Sequence, residues 1–177
     1  MDRTGVCTRA QRPKGLSFTR YNSGVARMEE SERPSFQEIY MRFAQIIARR
    51  STCKRLQVGT VITTTDFRKV LSVGYNGNAT GLSNVCDRDE AGNCGCLHSE
   101  ENAVINCDSP RSVEKIVFVT HLPCIMCAKR LINLGNVKKV FYQEDYRIQD
   151  SLSLLRSAGI DIERFQADEA LHPRKSS

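Results

Sequence analysis

No apolar run in this chain of 177 residues approaches the roughly 18 needed to span a bilayer, and the N-terminus lacks the charged-then-apolar order of a secretory signal. Cytoplasmic residence without a membrane partner is the expectation. Internal repeats and low-complexity core segments are also missing, and the length suits one domain of roughly 100–200 residues. Acidic residues are nearly absent from the start of the chain. Asp2 alone faces Arg3, Arg9, Arg12, Lys14, Arg20 and Arg27, so this segment carries +5 of the net +6. The remainder is close to balanced, which removes most of the case for a nucleic-acid surface. The segment also has few large apolar residues, so it cannot bury enough surface to offset its ordering entropy. Residues 1–33 are therefore expected to form a basic, disordered arm, a solvated extension in preference to a polyanion-binding tail. Residues 34–166 are expected to fold, with 167–177 a flexible tail.

Histidine is scarce, at three, whereas there are eight cysteines. In a chain of this size without a secretory signal, their His-linked and C-x-x-C spacings favour metal ligation over disulfides. His98-Ser99-Glu100 and Pro123-Cys124-Ile125-Met126-Cys127 are the relevant segments. One imidazole and two thiolates make three zinc ligands, and three ligands leave a position for water, whose pKa zinc lowers to about 7. Glu100 then decides between two kinds of site. As a fourth ligand it would close a structural centre, and as a neighbour it would move protons; the H-x-E offset favours the second, in the pattern of hydrolytic deamination. The bland alternative is a redox or buried C-x-x-C pair and a core histidine. His121, three residues before Cys124, is a weaker alternative ligand and a better candidate for a site wall.

The local patterns divide the domain into alternating elements. Phe36, Ile39, Tyr40, Phe43, Ile46 and Ile47 recur at helical spacing after the N-cap Ser35, predicting a helix over 35–50. Strands are predicted around Val58–Ile62 and Val70–Tyr75, joined by a polar hairpin. A loop then runs from Gly77 through Gly92 to His98, longer than the roughly 12–15 residues usual for loops without structure, so something should pin it. Helices are predicted from His98 to Asn106, from Cys124 to Leu134 with Gly135 as C-cap, and around Leu152–Ala158. Strands are predicted at Ile116–Thr120, Val137–Tyr142 and Ile160–Phe165. Such alternation implies an α/β domain with helices on both faces of a sheet. Cys53, Cys86, Cys94 and Cys96 form a second candidate set, either a structural zinc that pins the loop, with a variant of three cysteines plus another ligand, or free buried thiols. Cys7 reads as an exposed thiol and Cys107 as a small helical core residue.

From about Phe36 to Phe165 the chain resembles the zinc-dependent deoxycytidylate (dCMP) deaminases of the cytidine deaminase superfamily. Besides the zinc motif, the resemblance rests on Arg50-Ser51-Thr52-Cys53, Val58-Gly59-Thr60-Val61-Ile62, Gly74-Tyr75-Asn76-Gly77, Glu101-Asn102-Ala103-Val104 and Tyr142-Gln143-Glu144-Asp145-Tyr146-Arg147. It implies a three-layer α/β/α fold with a five-stranded mixed sheet. It also implies catalytic zinc on His98, Cys124 and Cys127, Glu100 as proton shuttle for zinc-bound hydroxide, Asn76 on the nucleotide sugar or phosphate, and conversion of dCMP to dUMP with release of ammonia. A homo-oligomer, dimer or hexamer, is implied as well. Two departures stand out: Ser99 replaces the family's usual alanine, and Asn78-Ala79-Thr80 follows Gly77 where a proline is common. Arg50, Lys54 and Arg55 are candidate phosphate ligands, although cations at a helix end are more often solvated. A tRNA adenosine deaminase shares the metal motif, but the cysteine-bearing loop and Asn102 favour a mononucleotide substrate. A non-catalytic zinc-stabilised binding module would be expected to lack Glu100.

Overall fold

A computed structural model describes residues 33–88, 94–146 and 149–166. Apart from Arg33, the expected arm lies outside the described residues, as do Gly92 and the 167–177 tail. Among the described residues nine elements follow in the order α1 (Phe36–Ala48), β1 (Gly59–Thr64), β2 (Val70–Tyr75), α2 (Ser99–Ile105), β3 (Lys115–His121), α3 (Ile125–Leu134), β4 (Val137–Glu144), α4 (Asp150–Ser157) and β5 (Asp161–Arg164). The strands form one sheet in the order β2-β1-β3-β4-β5. β1 runs antiparallel to both neighbours, whereas β3, β4 and β5 are parallel. The sheet is therefore mixed and five-stranded, as the resemblance implied, with helices on both faces as expected: α1 on one and α2, α3 and α4 on the other.

Alternation along the strands divides the core. Val61, Ile116, Phe118 and Phe141 pack with Met41 and Ala44 of α1, and the Phe118 and Phe141 rings stack at 5.2 Å. Ile62, Val117, Val119 and Val140 point the other way, against Ala103 of α2, Ala128 and Leu131 of α3, and Leu155 of α4. Ser35 caps α1 by accepting from the Glu38 N–H at 3.1 Å. The buried stripe of α1 differs from the expected one, however. Phe36, Ile39 and Ile46 are 48, 43 and 62% exposed, while Met41, Ala44 and Ala48 face the sheet. Cys107 likewise lies beyond the end of α2, half-buried, rather than within the helix.

Two glycines explain how closely the layers approach. A Cβ at Gly59 would overlap the Ala44 carbonyl oxygen and the Ala48 amide nitrogen, so α1 rests its backbone on β1 through small residues. On the other face a Cβ at Gly74 would overlap the Ser99 carbonyl and the Ala103 amide nitrogen, so the first turn of α2 lies directly on β2. Ser72 Oγ donates to the Ala103 carbonyl, and Asn102 Nδ2 donates to the Tyr75 carbonyl at 2.8 Å. At the far end of β3, the fully buried Lys115 donates to the carbonyls of Pro110, Val113 and Gly135, which satisfies its three N–H donors.

The close contact at Gly74 has a measurable cost of substitution. Gly74→Ala is expected to destabilise by about 1–3 kcal/mol through overpacking, read as a lowered urea midpoint. Gly77→Ala meets only ordinary contacts beyond 3.5 Å and is expected to leave the midpoint nearly unchanged.

Candidate active site

The β2–α2 and β3–α3 connections end at the same place. His98 is the N-cap residue of α2, and Cys124 that of α3; both have extended backbone, at ψ 157° and 167°. The His98 side chain makes no capping hydrogen bond, so its imidazole is available to a ligand. Arg130 of α3 pairs with Glu101 of α2 at 2.9 Å, which ties the two helices together just behind their first turns.

His98 Nδ1 stands 3.6 Å from Cys124 Sγ and 3.4 Å from Cys127 Sγ. Bonds of about 2.0–2.1 Å to nitrogen and about 2.3 Å to sulfur place N and S roughly 3.6 Å apart on a tetrahedron, so the donor set fits a zinc ion. Cys124 is held down at about 3, first by its hydrogen bond with the Cys127 thiol and then by His98 and the Cys127 N–H, which outweigh burial. That hydrogen bond and burial push Cys127 up, while the Cys124 contact raises His98. A bound dication would draw both sulfurs into the thiolate form. Glu100 is buried, and desolvation raises its carboxyl above the ordinary value. Its oxygens lie outside the group of donor atoms mutually within 4.8 Å, which contains only His98, Cys124 and Cys127 at this place.

His98, Cys124 and Glu100 open into a cavity of about 700 Å³, whose wall also includes Arg55, Leu56, Asn76, His121 and Tyr146. Arg55 is the member of the Arg50, Lys54 and Arg55 group that reaches this wall. His121 stands apart from the ligand triangle. Its Nδ1 lies 3.1 Å from Thr120 Oγ1, and burial lowers its pKa. Asn76 also lines the cavity, but its side chain is engaged with the main chain, accepting from Val58 N–H at 2.8 Å and donating to the Leu56 carbonyl at 2.7 Å. Asn76 therefore shapes the 56–58 segment of the wall, a role its place in the Gly-Tyr-Asn-Gly stretch did not reveal.

Cys53, Cys86, Cys94 and Cys96 converge as the second donor group, all four sulfurs within 4.8 Å of one another. Cys53 and Cys94 are 3.8 Å apart and Cys86 and Cys96 3.7 Å, far beyond a disulfide bond and close to the roughly 3.8 Å edge of a tetrahedral zinc–thiolate site. Burial opposes ionisation of Cys53, but the Leu56 and Arg55 N–H groups and the Cys94 and Cys86 thiols outweigh it, leaving Cys53 at about 7. The described parts of the loop are also pinned by the Gly77–Leu97 bridge and by Asn78, whose amide donates to the Ser83 carbonyl and Asp87 Oδ1. Cys53, Cys94 and Cys96 share the cavity wall with the first site.

Comparison with known proteins agrees with this geometry. Residues 34–144 match the family model of the cytidine and deoxycytidylate deaminase zinc-binding region. The chain is 34% identical over 154 residues to ComE operon protein 2 of Bacillus subtilis, covering 79% of this chain and 76% of that protein. It is 32% identical over 147 residues to the deoxycytidylate deaminase of Schizosaccharomyces pombe, covering 75% of this chain and under half, 45%, of that enzyme. A crystal structure of dCMP deaminase from the cyanophage S-TIM5, in complex with dCMP and dUMP, superposes with a TM-score of 0.68 at 32% identity, covering 75% of this chain and 98% of the phage chain. The match over residues 34–144 and the relatives at 32–34% identity place this site within a known family: the chain is an enzyme of the zinc-dependent cytidine and deoxycytidylate deaminase family.

Proposed function

We propose that the enzyme hydrolyses a free cytosine nucleotide, dCMP, to dUMP and ammonia. The observation that carries this reading is the shared opening of His98 and Cys124 of the ligand triangle, Glu100 and Arg55 into one cavity. The phage relative was crystallised with dCMP and dUMP, which supports the same substrate and product here. His98 Nδ1 and the sulfurs of Cys124 and Cys127 are the proposed ligands of the catalytic zinc. Bound there, zinc supplies a water-derived nucleophile at neutral pH.

Glu100 performs the proton transfers. Burial raises its affinity for a proton, which suits a group that must both accept and donate one near neutrality. It takes a proton from water and gives it to N3 of the ring as oxygen adds at C4. It then takes the proton of the new C4 hydroxyl and passes it to the amino group, which leaves as ammonia as the C4–N bond breaks and the C4 carbonyl forms. Arg55 faces the phosphate, where a guanidinium matches the anion through charge-assisted hydrogen bonds. Asn76 and His121 complete the wall toward the sugar and base.

Cys53, Cys86, Cys94 and Cys96 are the proposed ligands of a second zinc, closed by four sulfurs and therefore structural. Its effect on substrate is indirect, because the same segment carries Cys53 and presents Arg55 and Leu56 to the cavity.

Metal analysis of the purified protein is expected to give two zinc ions per chain. Cys86→Ser with Cys96→Ser should leave one, together with a lower thermal midpoint. A value that stays at two would contradict the four-sulfur assignment. Glu100→Gln is expected to keep its zinc and lose activity by about 10²-fold or more, followed by ammonia release from dCMP; loss of zinc in that variant would instead make Glu100 a ligand. Arg55→Met is expected to raise KM for dCMP about tenfold or more, as for loss of a hydrogen bond to a charged group, while leaving turnover of deoxycytidine unchanged. Equal effects on both substrates would remove Arg55 from the phosphate. Inosine formation in tRNA with dCMP untouched would overturn the substrate assignment itself.

A further inference from the structure

Glu100 is held by a chain of buried hydroxyls that leads back to the middle of the sheet. Ser99, the first residue of α2, is completely buried, and its Oγ lies 2.9 Å from Glu100 Oε2. The same Oγ lies 2.8 Å from Oγ1 of Thr60, which is also completely buried. A hydroxyl has a single proton, and an ionised carboxylate only accepts. Ser99 therefore donates to Glu100, and Thr60 must donate to Ser99. The direction of the chain is thereby determined, and its members polarise one another away from competing water. Thr60 sits on β1, which has a strand on each side, with Gly74 and Val119 as its paired neighbours. The far end of the chain is thus anchored in the most constrained part of the fold.

We propose that Ser99, backed by Thr60, is a positioning residue for the reaction: it occupies Oε2 of Glu100, so that Oε1 is the oxygen left to exchange protons with water and the cytosine ring. The proposal rests on the reading of Glu100 as the proton carrier. Transfer requires the carboxylate to be within hydrogen-bond reach and correctly aimed. A side chain whose oxygens exchange by rotation would spend part of its time misdirected. Neither hydroxyl touches substrate in this scheme. Their contribution is to the rate of the chemical step, not to binding.

The test measures kcat and KM for dCMP, and zinc per chain, in the full-length zinc-loaded enzyme and its Ser99→Ala, Thr60→Val, Thr60→Ser, Ser99→Ala/Thr60→Val and Glu100→Gln variants. Ser99→Ala should lower kcat about tenfold, as for loss of a hydrogen bond to a charged group, with KM and zinc content unchanged. Thr60→Val should lower kcat less, and Thr60→Ser should restore what it loses. In the double variant kcat should equal that of Ser99→Ala, because Thr60 acts only through Ser99. Wild-type kcat in Ser99→Ala beside an inactive Glu100→Gln would overturn the positioning role while leaving Glu100 as the proton carrier. A drop in kcat matched by loss of zinc would reduce Ser99 to a structural part, and a further drop in the double variant would break the chain at Thr60. An active Glu100→Gln enzyme would overturn the proton-carrier reading and this inference with it.

Discussion

The meeting of two helix starts over the sheet is the constraint on which the site depends. His98 and Cys124 each occupy the last extended residue before a helix, so their side chains leave the backbone at the point where β2 and β3 hand over to α2 and α3. Gly74 lets α2 press onto β2 without a side chain between them, and the Arg130–Glu101 pair joins α2 to α3. With the helices placed in this way, the nitrogen and two sulfurs stand at the separations a tetrahedral ion requires. The N-terminal end of α3 also favours the thiolate at Cys124. Glu100 gains its character from the same placement. The turn that brings His98 forward buries the carboxylate two residues later, and that burial raises its proton affinity.

The cysteine cluster is the second support of the cavity, acting through its wall. The 53–58 segment carries a sulfur at one end and Val58, tied to Asn76, at the other. Ser51 Oγ donates to the Asn76 carbonyl at 2.7 Å, so both ends of Asn76 hold this segment against the start of the long loop. Arg55 and Leu56 lie between these anchors. The wall that carries Arg55 is consequently a short, cross-tied strap, and the geometry of the four sulfurs and the cavity are linked through it.

Much of this was legible in the residue pattern, for identifiable reasons. The elements announced themselves through Ser35, Pro123 and Gly135 at their ends, and the metal triangle through two spacings that need no knowledge of the fold. The features that escaped depend on contacts between distant segments. The stripe of α1 was read from its largest apolar residues, yet Gly59 brings the helix so close that the small Ala44 and Ala48, with Met41, form its buried apolar face, leaving Phe36, Ile39 and Ile46 largely outside. The four cysteines matched no compact spacing because Cys53 joins from a segment before β1. Arg55 could not be separated from Arg50 and Lys54 until the cavity was seen to include only one of them. The pairing of Thr60 with Ser99 was hidden for the same reason, although Ser99 stood out as a departure from the family's usual alanine.

Oxygen tracing tests the central claim, hydrolytic deamination at this site, most directly. When the zinc-loaded enzyme acts on dCMP in water enriched in oxygen-18, mass spectrometry should find the label in the uracil carbonyl of dUMP, with ammonia released in equal amount. Formation of dUMP without label, or recovery of dCMP unchanged, would contradict the account.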